Sequence, residues 1–222
     1  MTYRELINQV LIRLREDTIP TDWSGAINES STVSAYHKVI GALINDSKRS
    51  VESYHDWLNL RETVSINTVV GTKNYNLNSG QEIKILDVIN TDTGHHLKQV
   101  SKVYINTVKF PTDDDGQPFY YSFNGSDSSN NLKIDLSPVP TKVETLNFEI
   151  VKHQDALTSA ATILKIPSQP IILGAWARAI SERGEDGGTQ SSLAAQEANE
   201  CLKQTVITDS GNTQYETDWY ID

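Results

Sequence analysis

Cysteine is nearly absent from this chain: Cys201 stands alone. No internal disulfide can form, so the fold must stand on packing or on partners, and synthesis in a cytoplasm is the default. Long apolar runs are missing too. No stretch of 18 apolar residues exists, which excludes a membrane-spanning helix. The first residues, MTYRELINQVLIRL, do not read as a signal peptide, because Glu5, Asn8, Gln9 and Arg13 interrupt the apolar positions. Positive charge is scarce: 19 Lys and Arg stand against 29 Asp and Glu, a net charge of −10. The longest basic run is Lys48–Arg49. Tight binding to nucleic acid needs clustered Lys and Arg whose gain comes from released counterions, so it is not expected here. An acidic surface still suits DNA that slides past without sticking.

Catalytic signatures are missing as well. The five histidines, His37, His55, His95, His96 and His153, make no metal-binding array. There is no Gly–Lys dipeptide for a phosphate loop and no GxSxG elbow. Asp113, Asp114, Asp115 and Gly116 hint at calcium, but an EF-hand register with Gly116 sixth would start at Pro111, which offers no side-chain ligand. The stretch reads as a solvated acidic turn, and His95–His96 as a solvated hairpin end. No catalytic residue, cofactor site or metal site is expected, and the chain is not read as an enzyme.

What is present is a set of amphipathic patterns. Thr2 and Glu5 have capping-box spacing, and Tyr3, Leu6, Ile7, Val10, Leu11 and Leu14 follow at helical intervals, predicting a helix over 2–16. A loop spans Asp17–Ser30, with Trp23 as a packing anchor. A second helix is predicted over 33–58, with Tyr36, Val39, Ile40, Leu43, Ile44, Ser47, Val51, Tyr54 and Leu58 on its stripe. Gly41 and Ser47 are small enough for another backbone to come close. A third helix, capped by Ser168 and holding Ile171, Ile172, Ala175, Trp176, Ala179 and Ile180, is predicted over 168–183. A fourth covers 189–205, with Leu193, Ala194, Glu197, Ala198, Cys201 and Leu202. Each stripe needs a partner of matching size, so the two N-terminal and two C-terminal helices are expected to form a four-helix bundle.

Residues 62–152 have a different period. Strands are expected at 62–70, 73–77, 83–89, 97–100, 119–124, 132–136 and 144–151, with a short helix capped by Ser101. In the last strand Leu146, Phe148 and Ile150 share one face, and Asn147 and Glu149 the other, as in an antiparallel sheet with one wet face. The expected fold is therefore α+β. A discontinuous helical bundle (1–61 and 153–207) carries an inserted antiparallel β domain (62–152) and ends in an extended tail (208–222). The tail, TDSGNTQYETDWYID, has no basic residue yet carries Tyr215, Trp219, Tyr220 and Ile221. It either folds back on its own domain or docks on another subunit, where Trp and Tyr serve as anchors.

The two N-terminal helices, Gly71 with Tyr75 and Leu77, the segment Phe119–Phe123 followed by Leu132, Ile134, Leu136, Pro138 and Pro140, and PSQPIILGAWARAISERGE (167–185) resemble the head-to-tail adaptor family of tailed bacteriophages. The resemblance implies a podovirus-type portal adaptor, made in the bacterial host cytoplasm and placed in the virion at the head–tail interface. It implies a homo-oligomeric, dodecameric ring that joins the portal protein to the tail nozzle protein and lines the DNA channel. It implies docking of the helical part under the portal, with the β part toward the nozzle. Tyr215, Trp219, Tyr220 and Ile221 would then be portal-interface residues, and genomic DNA a transient passenger. The competing readings are a small non-catalytic binding module or minor virion protein with a ligand pocket between helices and sheet, and a hydrolase with a dispersed site.

Overall fold

A computed structural model of the chain describes residues 1–23, 25–27, 33–77, 80, 82–106, 115–184 and 188–211. The acidic residues Asp113 and Asp114, the hairpin residues 185–187 and the tail from Asn212 onward lie outside them. The fold is α+β. The helices are α1 (Tyr3–Arg13), α2 (Ala35–Glu52), α3 (Lys102–Tyr104), α4 (Ser168–Arg183) and α5 (Thr189–Gly211). Two compact units result, one from residues 1–60 with 154–222 and one from 61–153.

In the helical unit α4 packs against α1, α2 and α5. Its sequence explains this central place, because Ile171, Ile172, Leu173, Ala175, Ala177 and Ala179 are buried around most of its circumference. The capping box forms as expected: Thr2 Oγ1 accepts from the Glu5 amide, and Glu5 Oε2 accepts from the Thr2 amide at 2.8 Å. Those hydrogen bonds hold the Glu5 carboxyl below the usual carboxylate range. Gly41 is where Tyr3 crosses α2. A Cβ there would lie 2.5 Å from the Tyr3 hydroxyl. Asn45 completes the contact, donating to Tyr3 Oη at 3.3 Å and to the Leu157 carbonyl at 3.0 Å while accepting from the Leu157 amide at 2.8 Å. The connector 154–166 is thereby stitched to the helices.

Four details differ from the sequence reading. First, α2 stops at Glu52, not at 58. Trp57 folds back, its Nε1 donating to the Val51 carbonyl at 2.9 Å, and Leu58–Leu60 form a single 3-10 turn. Second, Leu43 is only partly buried, whereas Ile40 and Ile44 are fully enclosed. Third, the residue before α4 is Pro167 and no side chain caps this helix, so Ser168 is its first residue rather than its cap. Fourth, α5 continues to Gly211, so residues 208–211 of the expected tail form its last turn. On α5 the buried residues are Ala194, Ala198 and Leu202, while Leu193 faces solvent.

The second unit contains β1 (Arg61–Asn67), β2 (Asn74–Asn76), β3 (Ile83–Asn90), β4 (His95–His96), β5 (Lys98–Gln99), β6 (Asp115–Gly116), β7 (Tyr120–Ser126), β8 (Leu132–Ser137), β9 (Val139–Pro140) and β10 (Thr145–Lys152). It is not one sheet but two of four strands, ordered β1-β10-β3-β4 and β2-β8-β7-β5, beside the small parallel pair β6-β9. The first sheet is antiparallel throughout; in the second, β5 runs parallel to β7. Leu97 is the crossing point. Its amide donates to Val88 of the first sheet, and the next residue, Lys98, donates to Phe119 beside the second. Val88, Leu146, Phe148 and Ile150 from one sheet meet Leu77, Tyr121, Ile134 and Leu136 from the other in a single core. The alternation expected in the last strand is the inner face of that core.

Candidate assembly surfaces

The β unit ends in a built tip. Thr68 lies just past β1 and organises it. Its amide donates to the Glu144 carbonyl, its hydroxyl donates to the Lys142 carbonyl, and that hydroxyl accepts from the Glu144 amide, all at 2.8 Å. The Gly71 amide donates to the Pro140 carbonyl at 2.9 Å, and Gly71 takes the left-handed conformation (φ 73°) that this turn demands. Tyr75 braces the turn from below: its hydroxyl accepts from the Val69 amide and donates to the Thr72 carbonyl, each at 2.9 Å. The result presents Val69, Val70 and Val143 to solvent at 55%, 58% and 69% exposure. A signal for this was present in the sequence. Two consecutive valines cannot both face one core in a period-two strand, so the run past Asn67 had to put apolar surface outside.

The helical unit offers a cleft of about 550 Å³ lined by Arg13, Arg15, Trp176, Ile180, Arg183 and Gln190. Arg13 lies over the Trp176 ring, its Cζ 5.7 Å from the centroid. Arg183 stacks on Tyr36 at 4.9 Å, donates to its hydroxyl at 2.8 Å and pairs with Glu16 at 2.5 Å. A second, shallower cleft is lined by Asp46, Arg49, Ser50, Ser53 and Arg178. Both are open to solvent and carry charged side chains, unlike a closed apolar ligand pocket.

At its far end α5 is fastened. Asp209 Oδ2 accepts from His55 Nε2 at 3.1 Å and from the Leu58 amide at 3.2 Å. The Trp57 and His55 rings meet edge to face, at 90° with centroids 5.1 Å apart. This fixes where the chain leaves for Tyr215, Trp219, Tyr220 and Ile221, which lie outside the described residues.

The histidines are dispersed. His96 pairs with Asp87 at 2.8 Å, His153 lies 3.9 Å from Glu82, and His37 meets the Asp17 carbonyl. Among the described residues no three His, Cys, Asp or Glu converge as a metal site would require. No helix among them is long and apolar enough to cross a membrane.

A family model described as SU10 adaptor protein matches residues 1–217, both units included. The chain belongs to the SU10 adaptor protein family. This is a family of phage head-to-tail adaptors, so the protein is a structural component of the virion that associates with other head and tail proteins. No curated protein matches the chain.

Proposed function

We propose that this adaptor forms a dodecameric ring between the portal and the tail nozzle, encircling the DNA channel. The observation that carries this is the family match across both the helical and the β unit, since a ring connector needs one surface for each neighbouring assembly. In this reading the four long helices act as one bundle that seats on the portal. The Val69–Val70–Val143 tip meets the nozzle, where a compact apolar cluster is the expected mark of an interaction site. A ring is a heterologous assembly, with two different patches on each subunit.

Tyr215, Trp219, Tyr220 and Ile221 anchor the tail on the portal. Loss of a good aromatic anchor costs about 2 kcal/mol or more. The net charge of −10 keeps the passing DNA from adhering. The test is negative-stain imaging and co-sedimentation of the protein with isolated portal, using the full chain and a form ending at Gly211. Rings on the portal for the full chain, lost or weakened on truncation, are expected. Unchanged co-sedimentation of the truncated form rules out tail anchoring, and an absence of rings with the full chain rules out the connector role.

A further inference from the structure

The cleft of Arg13, Arg15, Arg183 and Trp176 is out of keeping with the rest of the molecule. The protein is strongly acidic, yet three arginines from α1, the residues just after it and α4 line one cleft together with the partly buried Trp176. Among the described residues only Arg183 has a carboxylate partner, Glu16. Among the described residues Arg13 has only the Trp176 ring and Arg15 has no carboxylate. Two of the three like charges, Arg13 and Arg15, thus stand without a carboxylate among the described residues, which favours an anionic occupant with aromatic character.

The sequence contains a segment of that composition. In an extended chain alternate side chains face opposite ways. One side of the C-terminal segment then carries Tyr215, Thr217, Trp219 and Ile221; the other carries Glu216, Asp218, Tyr220 and Asp222. Three acids and a tyrosine match three arginines and a tryptophan. Most of the segment falls short of the cleft of its own chain. Gln190 marks the cleft at the start of α5, and the segment leaves from the other end, at Gly211. From Thr189 to Gly211 the helix spans about 33 Å at its usual rise. Glu216 and Asp218 extend at most about 17 and 24 Å beyond Gly211, at about 3.4 Å per residue. Only Asp222 could come level with the cleft.

We propose that this cleft receives the acidic side of the C-terminal segment of a second copy of the chain. The inference rests on reading the protein as a self-assembling ring. It leaves Tyr215, Trp219 and Ile221 free for the portal and assigns Tyr220 to the cleft instead, so the segment lies at a junction of three chains. Contact from the exit end of one α5 to the entry end of the next is heterologous and can repeat around a ring. It also requires α5 to run along the circumference rather than across it.

The test needs no portal. A fluorescent peptide of residues 212–222 is titrated into the full-length protein at low and high salt, alongside R13Q/R15Q protein and a neutral peptide carrying E216Q, D218N and D222N. Saturable binding is expected, weakened by salt and by roughly tenfold or more in the R13Q/R15Q protein, and lost for the neutral peptide. Absence of binding, or equal binding of the charged and neutral peptides, overturns the proposal without requiring any protein variant. Equal affinity in R13Q/R15Q protein with an unchanged circular dichroism spectrum overturns it as well. Loss of tail-dependent portal co-sedimentation in a protein that still captures the peptide would overturn the portal reading alone.

Discussion

Lys48 and Glu52 stand one turn apart on α2 and form a buried ion pair, with Nζ 3.1 and 3.0 Å from the two carboxylate oxygens and exposures of only 3% and 2%. The pair reaches beyond the helix. Lys48 Nζ also donates to the Gln154 carbonyl, and Glu52 Oε1 accepts from the Gln154 amide at 3.2 Å. Together they clamp both backbone groups of the residue at which the chain re-enters the helical unit.

Removing one member strands the other without solvent. Glu52→Ala is expected to cost about 3–5 kcal/mol, read as a shift in the urea midpoint. The double change Lys48→Met with Glu52→Leu should cost less than the sum of the two single changes. It should not be free, because the Gln154 amide and carbonyl lose their partners. Strict additivity would show that the two groups are not coupled.

Tyr3 sets the alkaline limit of the helical unit. Burial against α2 raises its phenol from 10.0 to about 12, with the Asn45 hydrogen bond opposing the rise. Below pH 10 the hydroxyl is protonated in both the folded and the unfolded chain, and its contribution is complete. Between pH 10 and about 12 the unfolded chain ionises first, so stability should fall as pH rises, by at most about 3 kcal/mol. Tyr3→Phe should flatten that part of the stability–pH curve measured by denaturant titration. An unchanged slope would assign the alkaline loss to other groups.

The valine tip offers a separation of assembly from folding. Val70→Asp with Val143→Asp alters two exposed side chains in a tip whose hydrogen bonds are made by their neighbours Thr68, Gly71 and Glu144. The melting temperature should barely move, since surface changes of this kind are usually within about 0.5 kcal/mol. Capture of the nozzle protein by rings formed on the portal should be lost. Normal capture would overturn the assignment of this tip to the nozzle.

Local chemistry was legible in the sequence wherever one segment determines its own geometry. The Thr2–Glu5 box and the inward face Leu146, Phe148, Ile150 depend on neighbours within a few residues, and both stand as read. The end of α2 was not legible, because Tyr54 and Leu58 keep helical spacing after the helix has stopped. Past Glu52 the chain folds back and Trp57 bonds the Val51 carbonyl, a side-chain contact that apolar spacing does not register. The single expected sheet became two because β2 pairs with β8, nearly sixty positions away, and because the chain changes sheets at Leu97. Leu193 faces solvent for a related reason: α4 is so apolar that α5 covers it with only Ala194, Ala198 and Leu202. The arginine cleft was invisible because Arg13 and Arg15 are far from Arg183 in sequence and no basic run betrays them.

The pairing of β1 with β10 sets Arg61 opposite Val151, so the β unit begins and finishes on adjacent strands. To the helical unit, everything from 61 to 153 is equivalent to one tight loop, and closing it adds little entropy whatever the loop contains. The host fold is therefore nearly indifferent to its passenger. Residues 61–153 could be lengthened, reshaped or exchanged for another body with neighbouring ends, and the helices would still find one another.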